Sequence, residues 1–418
     1  MVENAEIPLL YDHHTHPYTY AALQNSIDLR FITEKEQALS LLQEEQEGIT
    51  IVLGWNDSAY SFESQEIDQL PPLVIFNASL HGYKINKAGL ELIRTECPEA
   101  VSHYGDPEWT EKHSSLLYRM IIKHKQCRPA DIKRFFDKLL KQGIWAVEEM
   151  GLRGAEELAC TRQAGLETRI RFWAAPEVYD ALTPEDKKRI YGLKVFTDGA
   201  LGTKTAALYE PYTTGERGLL LYHDEKIWSE IERAFREDKA IAIHAIGDRA
   251  IEQIIVCIEA STTIQEIRKP VRIEHAQFIT YSQAERAKKL GIGLCMQPNF
   301  SVDSLWYRDR LSEEYCAANN PFRMLIDKAG YIPGEDLLFG SDGMPHGVEN
   351  ALEMALFPAH EGQKLDLHEF RAGYCMPDTG KGSIRLEIDR SSKKVGYSAH
   401  LHNQTSQKRK TDHDSEYT

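Results

Sequence analysis

Five residues near the N-terminus, Asp12-His13-His14-Thr15-His16, are of the types and spacing that could hold a metal ion. They follow an apolar run, Ile7-Pro8-Leu9-Leu10-Tyr11, that reads as a buried strand. Residues two apart in a strand project to one side. His14 and His16 therefore point together, with Asp12 behind them. Two imidazoles side by side at a strand end form half of a metal site. Two histidines in a surface turn is the plainer alternative, and residues further along the chain bear on the choice.

Those residues lie where regular elements must place them. From Ala130 the chain alternates helix and strand: helix 130–142 ending at Gly143, strand Ile144 to Val147, helix 155–164 ending at Gly165, strand Thr168 to Trp173, helix 184–191 and strand Leu193 to Phe196. Helix 225–237, strand Ala240 to His244, helix 249–260, strand Val271 to His275, helix 282–290, strand Ile292 to Met296 and strand Leu337 to Gly340 follow. With the first strand that makes eight. Alternation implies a parallel sheet, and eight units suggest a closed (β/α)8 barrel of the TIM type; a doubly wound open sheet is the alternative. In such a barrel the C-terminal strand ends converge on one face. Lys194 lies on strand four, His244 and His275 end strands five and six, and Asp342 follows strand eight. Four histidines, a lysine and an aspartate at converging strand ends are hard to explain as scattered surface polarity.

The segment from Pro17 to about Arg128 is too long for a connecting loop. It contains an amphipathic stretch, Glu34 to Gln46, and strand-like runs Ile49 to Leu53 and Leu73 to Phe76, and is expected to be an inserted subdomain on the face that carries the histidines. The net charge of −15 argues against nucleic acid as a partner. Seven cysteines with no CxxC pair read as free thiols in a reducing compartment. The first residues lack the basic and apolar regions of a signal peptide, and no apolar run would span a bilayer, so a soluble cytoplasmic protein is expected.

Histidines spaced HxH on strand one, Lys on strand four, His on strands five and six and Asp on strand eight resemble the pattern of the amidohydrolase superfamily. Longer stretches narrow the likeness to its YtcJ-like, N-substituted-formamide-deformylase-like branch. They are Gly192 to Leu208 (GLKVFTDGALGTKTAAL), Ala242 to Ala250 (AIHAIGDRA), Arg272 to Gln277 (RIEHAQ) and Phe339 to Asp342 (FGSD). The likeness runs from about Leu9 to about Met376, and an insertion after strand one is typical of that branch.

The resemblance implies a hydrolase with one or two metal ions, zinc being usual, and imidazole and carboxylate ligands suit zinc independently. His14 and His16 would hold one ion with Asp342, and His244 and His275 a second. An ammonium at Lys194 would be repelled by dications. As a carbamate it could bridge two ions roughly 3.5–4 Å apart; an unmodified Lys194 beside one ion is the alternative. Metal-activated hydroxide would attack a carbonyl, and Asp342 would carry the proton to the leaving nitrogen. His81, Trp55, Asp198 and Trp173 are candidates for the substrate pocket, with Glu149 beside them. Asp248 is expected to cap a helix, and Glu274, which precedes His275, is either a supporting residue of the site or a surface charge. The expected partner is a small-molecule substrate, not nucleic acid or membrane; a homodimer stays open.

The expected layout is a barrel over 1–376 with the insertion at 17–128, one or more remnant strands within 377–397 around Gly382 to Ile388, and a disordered tail over 398–418. The family's flanking β-sandwich should be largely missing, its N-terminal half absent because only ten residues precede Tyr11. Hydrolysis of a non-peptide C–N bond is the leading reading. Ester or lactone hydrolysis, decarboxylation, or ligand binding without catalysis on a retained barrel are the alternatives.

Overall fold

The computed structural model describes residues 2–24, 26–43, 48–55, 59–77, 83–94, 98–104, 106, 109, 127–260 and 269–402. The apolar run at the start is a junction rather than one strand. β1 (Val2–Pro8) ends there and β2 (Leu10–Thr15) begins two residues later. The inserted segment then contributes β3 (Ile27–Asp28), β4 (Thr50–Trp55), β5 (Leu73–Asn77) and β6 (Tyr83–Ile85), which form a sheet of their own in that order. Two small cores, one around Ile49, Ile51, Val74 and Phe76 and one around Val52, Trp55, Phe62 and Ile75, cover its faces.

The chain then returns to the barrel with β7 (Ile144–Leu152), β8 (Ile170–Ala174), β9 (Ile190–Phe196), β10 (Ala240–Ala245), β11 (Val271–His275), β12 (Ile292–Met296) and β13 (Leu337–Phe339). These strands and β2 make one parallel eight-stranded sheet in the order β2-β7-β8-β9-β10-β11-β12-β13. The eight strands read from the sequence are these eight. The helices that feed them show the expected punctuation. Helix Pro129–Lys141 has Pro at its start, Asp131 in its first turn and Lys138 and Lys141 in its last, and Gly143 follows with φ +88°. Helix Ala155–Ala164 ends at Gly165, φ +69°. Helices after the last two strands, among them Phe322–Asp327, Val348–Leu356 and Leu367–Tyr374, were not expected.

Side chains and loop backbone draw the barrel's two ends together. The Asp342 amide donates to the His14 carbonyl at 2.7 Å. Buried Asp12 accepts from the Ser341 amide (2.9 Å), the Ser341 hydroxyl (2.5 Å) and the His14 amide (3.2 Å). Gly340 is needed here, because a Cβ at that position would lie 2.4 Å from the His14 nitrogen.

Two expectations at the chain ends are corrected. The N-terminal residues do build a strand: β1 pairs antiparallel with β14 (Gly382–Asp389), which pairs with β15 (Lys394–Leu401). Ile7, Ile384, Leu386, Ile388 and Val395 bury this three-stranded sheet against the barrel core, and that burial holds β1 in place although Glu3, Asn4 and Glu6 interrupt its apolar residues. The polar stretch from Ser398 to Leu401 belongs to β15, so the expected tail does not begin at 398. Residues 403–418 lie outside the described residues.

Candidate metal centre

Six side chains singled out in the sequence meet at the mouth of the barrel. His14, His275 and Asp342 each offer a ligand atom, all within 4.8 Å of one another. His16 approaches the same carboxylate, Nε2 to Asp342 Oδ1 being 3.4 Å, while His14 Nε2 stands 3.8 Å from it. The ring of His244 packs edge-on against His275, centroids 4.6 Å apart, and His275 lies at the same distance from His14. His275 thus lies between His14 and His244, and His16 stands on the far side of His14, ring centroids 5.8 Å apart.

Local backbone explains how they converge. Alternation along β2 turns Asp12 and His14 to one side. On β11 the same alternation would send Arg272 and Glu274 inward and His275 away. Positive φ at His275 (+69°) and Ala276 (+48°) breaks the alternation and turns the imidazole into the mouth. Asp342 also has positive φ, +53°. Non-glycine residues held in this region cost of order 1–3 kcal/mol each and cluster at functional sites.

Each imidazole is oriented by a second group. His14 Nδ1 donates to Glu274 Oε2 at 2.5 Å, and His275 Nδ1 donates to Gln297 Oε1 at 2.7 Å, leaving both Nε2 lone pairs available. His244 Nε2 lies 3.1 Å from the Gly199 carbonyl and 3.3 Å from Asp198, leaving Nδ1 as its available nitrogen. Burial first, then neighbouring cationic groups, hold His14 and His275 well below the usual histidine range. Both are therefore neutral, the form that binds metal.

Lys194 lies among them, 2 % exposed, and its Nζ has no hydrogen-bond partner among the described residues. It stands 5.1 Å from the centroid of the Phe196 ring. Burial pushes the amine down to about 8, against the pull of Glu274 and Asp342. Gly192, two residues before Lys194, makes room for the Trp173 ring, which a Cβ there would strike at 2.3 Å.

Beneath this layer the barrel is filled by charge as well as by apolar groups. Arg272 pairs with Glu274 and with Glu148 (3.1 Å), and its guanidinium lies over Trp173. Glu148 also accepts from Trp173 Nε1 (2.6 Å), Arg171 (3.1 Å) and His13 (3.0 Å). Burial would raise its carboxyl, but Arg272, His13 and Arg171 outweigh that and hold it at about 2.

The remaining candidates lie as follows. Trp173, 1 % exposed, belongs to this packed layer and not to a substrate pocket. Trp55 lies in the core of the insertion, its Nε1 bonded to the Tyr60 carbonyl. Asp198 accepts from the amides of Ala207 (2.9 Å), Ile246 (3.0 Å) and Gly247 (2.8 Å), so it fastens the β9 and β10 loops and backs His244. Asp248 opens helix Asp248–Ala260 but binds the Tyr209 amide and the Tyr315 hydroxyl, tying two loops together. Glu149 accepts from the Tyr18 and Gly151 amides, 3.5 Å from His16. His81 lies outside the described residues. Gln297, Glu148 and Arg272 were not read as site residues. Arg272 and Glu274, two charges at the inward positions of one buried strand, were a legible signal, because such charges must be paired.

A family model described as the Amidohydrolase family matches residues 7–348. The chain belongs to that family. Putative amidohydrolase YtcJ of Bacillus subtilis (strain 168) is 25% identical over 389 residues, covering 82% of this chain and 71% of that protein. The solved structure of an uncharacterized metal-dependent hydrolase from Pyrococcus horikoshii OT3 superposes with a TM-score of 0.64 at 25% identity, over 84% of this chain and 74% of that one. One from Pyrococcus furiosus does so with a TM-score of 0.65 at 23% identity, over 88% and 80%. Membership supports hydrolysis assisted by a divalent metal, and the His14–His275–Asp342 cluster fits such an ion. No helix among the described residues is long and apolar enough to cross a membrane.

Proposed function

We propose that the chain hydrolyses a carbon–nitrogen bond other than a peptide bond, in an amide or formamide-like small molecule, with zinc held at the barrel mouth. The observation that carries this reading is the buried, partnerless amine of Lys194 among four histidines and Asp342. A buried ammonium without an acceptor is costly, whereas a carbamate there has two oxygens to offer to cations. The lowered basicity of Lys194 favours the free amine, which adds to carbon dioxide with loss of one proton. His14, His16, His244, His275, Asp342 and carbamylated Lys194 would hold one or two ions. A bound divalent ion supplies Lewis acidity, polarising a carbonyl and making water acidic near neutral pH. Asp342 would take up the proton of the attacking water and deliver it to the leaving nitrogen, without which an amine leaves poorly. The roof over β9 to β12, where Leu201, Leu208, Tyr212, Phe278 and Leu311 pack together, would limit the entry of water. We place the reaction in the cytoplasm, consistent with free thiols at all six described cysteines.

The test begins with protein stripped by a chelator and reloaded with zinc, with and without bicarbonate. Hydrolysis of formamides and acylated amines should return with zinc, and faster with bicarbonate. Turnover of esters or lactones alone would move the reading to the ester class. Reactivation indifferent to bicarbonate, with one ion per chain, would defeat the carbamate.

A further inference from the structure

The ion cluster beneath the metal centre sets the tautomer of His14. Glu274 is fully buried, and its two oxygens are fully committed. Oε2 accepts from His14 Nδ1 at 2.5 Å, and Oε1 accepts from Arg272 Nε. Arg272 is itself held from other sides, by Glu148 at 3.1 Å, by the His13 carbonyl at 3.1 Å and by the face of Trp173 at 4.8 Å. Glu148 in turn is anchored by Trp173, His13 and Arg171, and Arg171 reaches solvent. The chain of contacts therefore runs from the floor of the barrel to a ligand at its mouth. At its buried centre, neither Arg272 nor Glu274 can turn away without leaving the other's charge poorly paired.

We infer that Arg272 and Glu274 are positioning residues that act together: Arg272 fixes the orientation of Glu274, and Glu274 fixes His14 with hydrogen on Nδ1 and its lone pair on Nε2. The inference rests on the reading of His14 as a metal ligand. An arginine can only donate, so the group beside its Nε must be an acceptor. A carboxylate satisfies Arg272 and His14 at once because it has two equivalent acceptors. An amide has one. In Glu274→Gln the single oxygen would turn to Arg272, since the opposite choice sets an N–H of the amide against a buried guanidinium. The amide NH2 would then face His14 Nδ1, which could only accept. His14 would carry its hydrogen on Nε2 and lose the lone pair that faces Asp342. Glu274→Ala, in contrast, imposes no tautomer. The isosteric amide should thus damage the site more than the truncation does, the reverse of the order expected from lost packing alone.

The test uses full-length metal-free protein with 15N-labelled histidine. Nitrogen shifts of His14, assigned by comparison with His14→Gln, should report hydrogen on Nδ1 in the wild type and on Nε2 in Glu274→Gln. Zinc affinity, measured by competition with a chromophoric chelator, should fall 10- to 100-fold in Glu274→Gln and by less in Glu274→Ala. Persistence of the Nδ1–H form in folded Glu274→Gln overturns the inference, as does an affinity for zinc within twofold of the wild type. The tautomer is read without metal, so it decides even if Glu274→Ala does not fold. A wild-type chain that takes up no zinc would instead count against the metal reading.

Discussion

The two sides of the barrel mouth differ in how firmly they are held. On one side His14, His275 and Lys194 are buried, two of the three oriented by Glu274 and Gln297, and the roof of the β9 and β12 loops closes over their neighbours. On the other, the side chains of His16 and Asp342 are 27% and 18% exposed. Dry, hydrogen-bonded imidazoles make a strong and rigid ligand set, because their desolvation is already complete before an ion arrives. Groups reached by water are placed to exchange protons with it. The buried side thus offers imidazoles already stripped of water, and the open side offers groups that water can reach.

The comparison breaks most severely at the buried side. His14→Ala should leave little bound zinc and lower kcat/KM at least a thousand-fold, about 4 kcal/mol of transition-state stabilisation. Undiminished metal in the folded variant would remove His14 from the ligand set. On the open side, Asp342→Asn should retain part of the metal while kcat falls by roughly 10²–10⁴. Near-normal kcat would take the proton shuttle away from Asp342.

Asp12 tests the seam between the two. Asp12→Ala should lower the free energy of unfolding by about 2–3 kcal/mol, read from the urea midpoint, because the bonds to Ser341 and His14 are lost. A change below about 0.5 kcal/mol would mean that other contacts close the barrel. A further test, read only as a dependence on pH, concerns buried Asp303 beside the roof. Burial raises Asp303, bonded to Gln277 at 2.9 Å, from an ordinary 3.8 to about 7. The folded chain therefore holds this proton more tightly than the unfolded one. Its contribution to stability is complete below the unfolded value and is lost as pH rises through about 7. Asp303→Asn should make unfolding free energy fall less between about pH 4 and pH 7 than it does in the wild type. Identical slopes would place Asp303 in contact with water.

The eight barrel strands and the separate sheet of the inserted segment were legible in the sequence, as was the placement of the six candidate side chains near strand ends, because each rests on a local signal: periodicity, a helix-ending glycine, or a polar residue in or after an apolar run. The N-terminal strand was not legible. Val2 to Glu6 carry little apolar character, and only pairing with β14, 380 residues away, makes them a strand. Trp55 and Trp173 pack into apolar clusters for a related reason: aromatic character marks burial but does not say which cavity or core receives the ring. Asp198 and Asp248 carried the right charge, yet their partners are backbone amides and a tyrosine of distant loops.

What the sequence by itself determined is the order of strands and the candidate residues that this order brings to one face, since both follow from residue type and spacing along the chain. The tertiary structure decided the grouping around His275, through positive φ at a strand end that alternation could not foretell. It also decided the partners that aim each imidazole. Arg272 and Glu148 come from different strands and Gln297 follows a third, so their contacts form only when the sheet is assembled, and a buried charge finds its counter-charge in space, not along the chain.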